Sequence, residues 1–232
     1  GGIRPLHVLL KPRFSVILLI IAVVLSACGQ QPQSGGNSAD SVGTMRLAAL
    51  NYPIYDFTRS IVGDSVEVRL IIPPGVDPHH WDPSPRDLQE IFQSQLLLYS
   101  GVGLENWIER LMSSAEGQLA IRDISMGIEL LDSETDHSED SHGAHSETHA
   151  DPHLWLDPLR ASQQVANIAE ILAEQNPEAA AMYRTRAEEL QAELLSLHQR
   201  YLEGLSHCRS RVLLTEHAAY HYLADRYQLE FS

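Results

Sequence analysis

Val66-Glu-Val-Arg-Leu-Ile-Ile-Pro-Pro-Gly-Val-Asp-Pro-His-His-Trp-Asp-Pro-Ser-Pro-Arg-Asp-Leu-Gln-Glu-Ile-Phe92 holds a strand, a stiff loop and a helix in one stretch. Val66 to Ile72 is β-branched and apolar, and Pro73-Pro74-Gly75 ends it. Ser84 is a good N-cap, Pro85 fits the first helical position and Asp87 closes a capping box. Leu88, Ile91 and Phe92 are the buried side expected of that helix. Between strand and helix, Val76 to Pro83 carries His79 and His80 in a frame of prolines.

The same alternation extends in both directions. Upstream, Met45 to Leu50 reads as a buried strand. Pro53 opens a helix whose apolar face is Ile54, Phe57, Ile61 and Val62. Downstream come a strand at Gln95–Tyr99, a turn at Gly101–Gly103, a helix over Leu104–Met112 and a strand over Leu119–Ile124. Strand and helix in alternation specify a parallel α/β sheet. Asp157-Pro158 caps a helix through Val165, Ile168, Ile171 and Leu172. Asn176-Pro177 interrupts it, and a long helix is expected from Pro177 to about Leu205. Leu190, Leu194, Leu197, Tyr201 and Leu205 form its single apolar stripe. A strand at Arg211–Thr215 and a helix at Ala218–Tyr227 complete the pattern.

Between the strand at 119–124 and Asp157 lies an acidic segment, Asp132 to Ala150. It holds His137, His142, His145 and His149 and no apolar side chain larger than alanine. It cannot bury enough surface to offset its ordering entropy, so it is expected to be a loop. Alone it reads as a solvated linker. It runs, however, into Asp151-Pro152-His153, a second Asp-Pro-His after Asp77-Pro78-His79. His79, His153 and His217 all follow predicted strands, and open parallel sheets bind ligands beyond the carboxyl ends of their strands. Proline fixes the backbone before two of these imidazoles, and three neutral imidazoles plus an oxygen make a tetrahedral zinc site. Each histidine alone is explained by packing or capping. The three together, beside a His-rich tract that suits auxiliary metal binding, favour a metal centre.

The chain has 232 residues, 44% of them apolar, and a formal charge of −15. Arg4, Lys11 and Arg13 precede an apolar run, Phe14 to Leu25, too short for a comfortable membrane span. The run ends in Leu25-Ser-Ala-Cys28, so residues 1–27 are expected to be a lipoprotein signal with lipid attached at Cys28. The other reading is a retained anchor ending in that cysteine. Residues 28–44 are a polar tether rich in Gly, Ser, Gln and Asn. Removing residues 1–27 takes away three positive charges and no acid, which moves the formal charge from −15 to −18. That sign attracts cations and disfavours nucleic acid as a partner. Cys208 is then the one remaining thiol, either free or paired outside this sequence.

Asn51-Tyr-Pro-Ile-Tyr-Asp56, Pro73-Pro-Gly-Val-Asp-Pro-His79, Pro83-Ser-Pro-Arg-Asp87, Gly101-Val-Gly-Leu-Glu-Asn-Trp107, Asp151-Pro-His-Leu-Trp-Leu-Asp-Pro158 and His217-Ala-Ala-Tyr-His-Tyr222 carry a resemblance. They resemble the metal-binding lipoproteins that serve bacterial zinc and manganese ABC importers. The resemblance covers residues 45 to 232. It implies two parallel-sheet α/β lobes joined by a long rigid helix, with metal held between the lobes by His79, His153 and His217. It also implies an ABC permease as partner. Histidine at 217, and a His-rich loop before the second ligand, match the zinc branch; the manganese branch carries Glu at that position. Glu216 is one residue out of register, and His80 and His221 are expected to be bystanders.

The resulting division is a lobe at 45–158 that includes the loop 132–150, linking helices at 159–206, and a second lobe beginning at 207–232. That lobe is expected to be truncated, with its acidic fourth ligand absent. The expected function is extracytoplasmic capture of Zn(II), lipid-anchored on the periplasmic or cell-surface side of a membrane. Mn(II) or Fe(II) capture and an adhesin-like surface role are alternatives. A zinc hydrolase is disfavoured, since no His-Glu-x-x-His or other general-base motif is present.

Overall fold

The computed structural model describes residues 45–115, 117–132 and 150–231. Cys28 and the loop histidines His137, His142, His145 and His149 lie outside the described residues. Four strands, β1 (Arg46–Ala49), β2 (Glu67–Leu70), β3 (Leu96–Tyr99) and β4 (Ala120–Asp123), form an all-parallel sheet in the order β2-β1-β3-β4. Leu47 stands opposite Val68 on one side and Leu96 on the other, and Leu96 opposite Ala120. Leu47, Ala48, Ala49, Leu96, Leu97 and Leu98 are all fully buried. Consecutive residues point to opposite faces, so both faces are covered, which is why these strands read as unbroken apolar runs.

Helices α1 (Tyr52–Val62), α2 (Pro85–Phe92), α3 (Ile108–Ser114) and α4 (Pro158–Gln175) all contribute side chains to the core around this sheet. Their starts follow from local chemistry. Asn51 Oδ1 accepts from Ile54 N at 3.2 Å, and its Nδ2 donates to Ser100 Oγ at 2.6 Å, tying the end of β1 to the end of β3. Ser84 and Asp87 form the reciprocal capping box, and Asp157 accepts from Leu159 N at the start of α4. The long helix α5 (Ala180–Ser206) has 27 residues, or about 40 Å at the standard rise. It packs along α4, and Tyr183 and Ala187 are its fully buried residues. These extend the expected stripe one and two turns earlier, while Leu190, Leu194, Leu197, Tyr201 and Leu205 are half-buried. Beyond α5, β5 (Val212–Leu213), α6 (His221–Tyr227) and β6 (Glu230–Phe231) form a second, two-stranded parallel sheet with its crossover helix. No helix among the described residues is long and apolar enough to cross a membrane.

Four local expectations are corrected. Phe92 is 40% exposed; it lies over a surface groove with Leu88, Trp107 and Leu111. Helix α3 begins at Ile108, not Leu104: Gly101, Val102 and Gly103 turn with positive φ, and residues 104–107 stay in turns, with Ile108 N donating to Glu105 O at 3.0 Å. Gly101 is required there: a Cβ at this position would collide with the Asp123 carboxylate. Helix α6 begins at His221, not Ala218, and β6 was not predicted.

The turn before α3 buries a carboxylate. Glu105 is 3% exposed. Its Oε1 accepts from Ser100 N at 3.0 Å, and its Oε2 has no hydrogen-bond partner among the described residues. Burial pushes its pKa from 4.5 up to about 7. A raised folded pKa means stability is present below 4.5 and lost as pH rises through 7. Glu105→Gln removes that ionisation. The stability of E105Q relative to wild type is therefore expected to rise by about 3 kcal/mol between pH 4.5 and 8. Denaturant titrations of both proteins across this range check it, and a difference that stays flat with pH refutes it.

Candidate metal centre

The site is assembled from three chain segments beyond the carboxyl ends of the strands. After β2, Ile71 N and Ile72 N continue the ladder to Ala49 O and Leu50 O. Pro73-Pro74-Gly75 then turns the chain into a single 3₁₀ turn, Pro78–His80. Asp77 Oδ1 accepts from His79 N at 3.0 Å. After β4 the second Asp-Pro-His repeats this device: Asp151 Oδ1 accepts from His153 N at 2.8 Å. In both blocks the aspartate closes a turn onto the histidine two residues on, and the proline between them fixes φ. Two independent constraints on each backbone reduce the freedom lost when its imidazole is engaged. His217 lies in the segment between β5 and α6.

The three imidazoles converge. His153 Nε2 is 3.1 Å from His79 Nε2 and 3.3 Å from His217 Nε2. Ligand atoms of all three lie within 4.8 Å of one another. A regular tetrahedron with metal–nitrogen bonds of 2.0–2.1 Å has edges of about 3.3–3.4 Å. The two spacings about His153 Nε2 are close to that edge, and the third pair lies within 4.8 Å.

Asp151 is a second residue of consequence that spacing did not single out. It is 1% exposed. Its Oδ1 lies 2.7 Å from His153 Nδ1, and its Oδ2 lies 2.7 Å from His221 Nδ1. Burial raises the Asp151 pKa, but the hydrogen bonds from His153 and His221 outweigh it and the net shift is downward. An ionised Asp151 accepts at both oxygens. With Nδ1–H of His153 engaged, Nε2 of His153 carries the lone pair that faces the other two rings. Burial, and then the neighbouring His153, lower the His79 pKa, so the His79 ring favours its neutral form.

The remaining histidines sort clearly. His80 turns away to Asp77 Oδ2 at 2.8 Å with its side chain 86% exposed. Glu216 is exposed and is not part of the three-histidine cluster. His221 is not the bystander expected from sequence. The acidic loop is closed at its base by an antiparallel bridge between Asp132 and Ala150. Asp151 N donates to Leu131 O at 2.9 Å. Tyr222 accepts from Leu131 N at 3.2 Å and donates to Asp151 O at 2.6 Å. The chain therefore re-enters the described fold at Ala150, three residues before the His153 ring. Cys208 is exposed and forms no disulfide among the described residues.

Comparison with known proteins gives the family. Residues 48–232 match the family model described as "ZnuA: Zinc-uptake complex component A periplasmic". The chain is 34% identical over 224 residues to the high-affinity zinc uptake system protein ZnuA of Bacillus subtilis, covering 94% of this chain and 70% of that one. It is 31% identical to the zinc-binding lipoprotein AdcA of Streptococcus pneumoniae, covering 91% of this chain but 41% of that protein. Among solved structures, the Zn(II)-bound ZnuA-like domain of Streptococcus pneumoniae AdcA superposes with a TM-score of 0.71 at 28% identity, over 82% of this chain and 66% of that one. The chain thus spans less than half of the AdcA lipoprotein and about two thirds of its ZnuA-like domain. A sheet order, a long linking helix and a family match over residues 48–232 lead to one assignment: the chain belongs to the ZnuA family of zinc-uptake substrate-binding proteins.

Proposed function

We propose that this chain captures Zn(II) outside the cytoplasmic membrane and hands it to an ABC permease. The ion is cargo, held by one nitrogen each from His79, His153 and His217. The observation that carries this reading is the spacing of the three Nε2 atoms, 3.1 and 3.3 Å about His153. Residues 45–158 form the first lobe, 159–206 the linking helices, and 207–232 the beginning of the second. His79 and His153 come from the first and His217 from the second, so the ion is clamped between lobes and can be released when they part. Lipid on Cys28 holds the protein at the membrane, and residues 28–44 tether it. Three imidazoles favour zinc over manganese, by ligand type and by the general affinity order. Metal analysis of protein purified without added metal, followed by competition titration, tests the reading. Zinc is expected to displace manganese readily; tighter manganese binding overturns the assignment.

His137, His142, His145 and His149 are auxiliary ligands in this scheme. Their stretch of sequence has no apolar side chain larger than alanine with which to pack, so their affinity is expected to be weaker than that of the triad. Because Asp132 and Ala150 already bridge the base, deleting residues 133–149 is expected to leave one tight site and remove the weaker ones. Isothermal titration with zinc reads both classes. Loss of the tight site would place the loop in the primary shell.

A further inference from the structure

His221 occupies a position that the capture of zinc by the triad leaves unused, yet it reaches the core of the site. It is the first residue of α6, in the second lobe, and its side chain is 15% exposed. Its Nδ1 meets Asp151 Oδ2 at 2.7 Å, across 70 residues of sequence. Asp151 belongs to the first lobe, and its other oxygen meets His153 Nδ1, also at 2.7 Å. The two imidazoles therefore share one carboxylate, one at each oxygen. We propose that His221 is a positioning residue: by engaging Asp151 Oδ2 it fixes the Asp151 carboxylate, and through it the tautomer and ring orientation of His153. The proposal rests on the triad being the zinc site.

The physical case begins with the carboxylate. Asp151 is 1% exposed, so an oxygen that lost its partner would be left unpaired away from water. A carboxylate bound at one oxygen only is free to rotate about its χ2 and exchange its oxygens. Bonds to His153 N and Nδ1 hold Oδ1, and His221 is the side chain that holds Oδ2. Neighbouring groups keep His221 itself in place. Tyr222, the next residue, is fully buried, donates to Asp151 O and sits under the Arg160 guanidinium at 4.5 Å. Arg226, one turn further on, reaches Asp157 Oδ2 at 2.8 Å. The N-terminal turn of α6 is thus anchored against residues 151–160, and His221 is delivered to the carboxylate by that docking. Outer partners that orient a ligating histidine typically change metal affinity by about 10–100-fold when removed.

The test uses the full chain and two substitutions. His221→Ala removes the donor. His221→Asn keeps an N–H at the position of Nδ1, because the Asn amide nitrogen occupies the same place along the side chain. Zinc is titrated against a chelator of known affinity. The metal-free proteins are also examined by nitrogen-15 NMR of the imidazoles, with His153→Ala identifying the His153 signals. H221A is expected to bind one zinc in the triad with affinity about tenfold weaker, and to lose the single Nδ1–H tautomer of His153. H221N is expected to recover both. Unchanged affinity and tautomer in H221A would overturn the proposal. So would loss that H221N fails to restore, which would point to packing or direct ligation. The NMR readout needs no metal, so it stands even if the triad proves not to hold zinc. Absence of zinc binding in the wild-type chain is the separate result that overturns the functional reading.

Discussion

His153→Ala is expected to abolish tight zinc binding, with a loss of affinity on the order of a hundred- to a thousandfold. Sharing about 10–16 kcal/mol of apparent zinc binding among four ligand positions assigns about 2.5–4 kcal/mol to each, or roughly two to three powers of ten in affinity. His153 has the strongest structural claim of the three histidines. It is 6% exposed, its Nε2 is the common neighbour of the other two, and Asp151 fixes its Nδ1. His79→Ala and His217→Ala are expected to act in the same direction. His217 is exposed and comes from a short loop, so more of its rotamer freedom is lost on binding and its net contribution should be the smallest. His80→Ala is the control, since its ring is directed to Asp77 and solvent. Competition titration against a fluorescent chelator gives all four constants. An unchanged constant in H153A would remove His153 from the shell.

Much of this site was legible because its determinants are local. Asp77-Pro-His79 and Asp151-Pro-His153 each place a capping aspartate, a φ-fixed proline and an imidazole within three residues, and local rules reach that far. The capping box at Ser84 and Asp87, the Asp157 cap and the buried runs at 47–49 and 96–98 are of the same kind. What escaped the sequence depends on contacts distant along the chain. The Asp151–His221 hydrogen bond spans 70 residues, and the Tyr222 clamp on Leu131 spans 91. Strand β6 is two residues long and has no periodicity to detect; it exists because Glu230 N meets Arg211 O beside β5. Helix α3 was extended too early because Leu104 and Trp107 fit an apolar face. Residues 104–107 stay in turns instead, with the Glu105 side chain folded back onto Ser100 N.

Asp157→Ala is expected to be the most destabilising single change in the described fold, at about 3–5 kcal/mol. The Asp157 side chain is fully buried and serves three structures at once. It caps α4 through Leu159 N at 3.1 Å. It takes Arg160 Nη1 at 2.8 Å, from a guanidinium whose side chain is 5% exposed. It also takes Arg226 Nη2 at 2.8 Å, from α6 in the second lobe, and raises the pKa of that guanidinium. Alanine would leave the buried Arg160 with the Glu129 carbonyl and the Tyr222 ring as its partners, which does not replace a countercharge. Asp157→Asn keeps the shape and the cap but not the charge, so it should fall between wild type and D157A. Arg226→Ala should cost less than D157A, because Arg226 is 31% exposed and its loss leaves Asp157 still paired to Arg160. The three variants thus rank by how completely each strands a buried charge. Denaturant unfolding without metal gives that ranking. Repeating it with saturating zinc should raise all midpoints, because the ion binds the folded state alone. The rise should be smaller in D157A and R226A than in wild type, because in both α6 has lost the Asp157–Arg226 pair that anchors it beside Asp151. If D157A unfolds at the wild-type midpoint, the buried ion triad contributes nothing net, and the docking of α6 must rest on Tyr222 and Tyr227 instead.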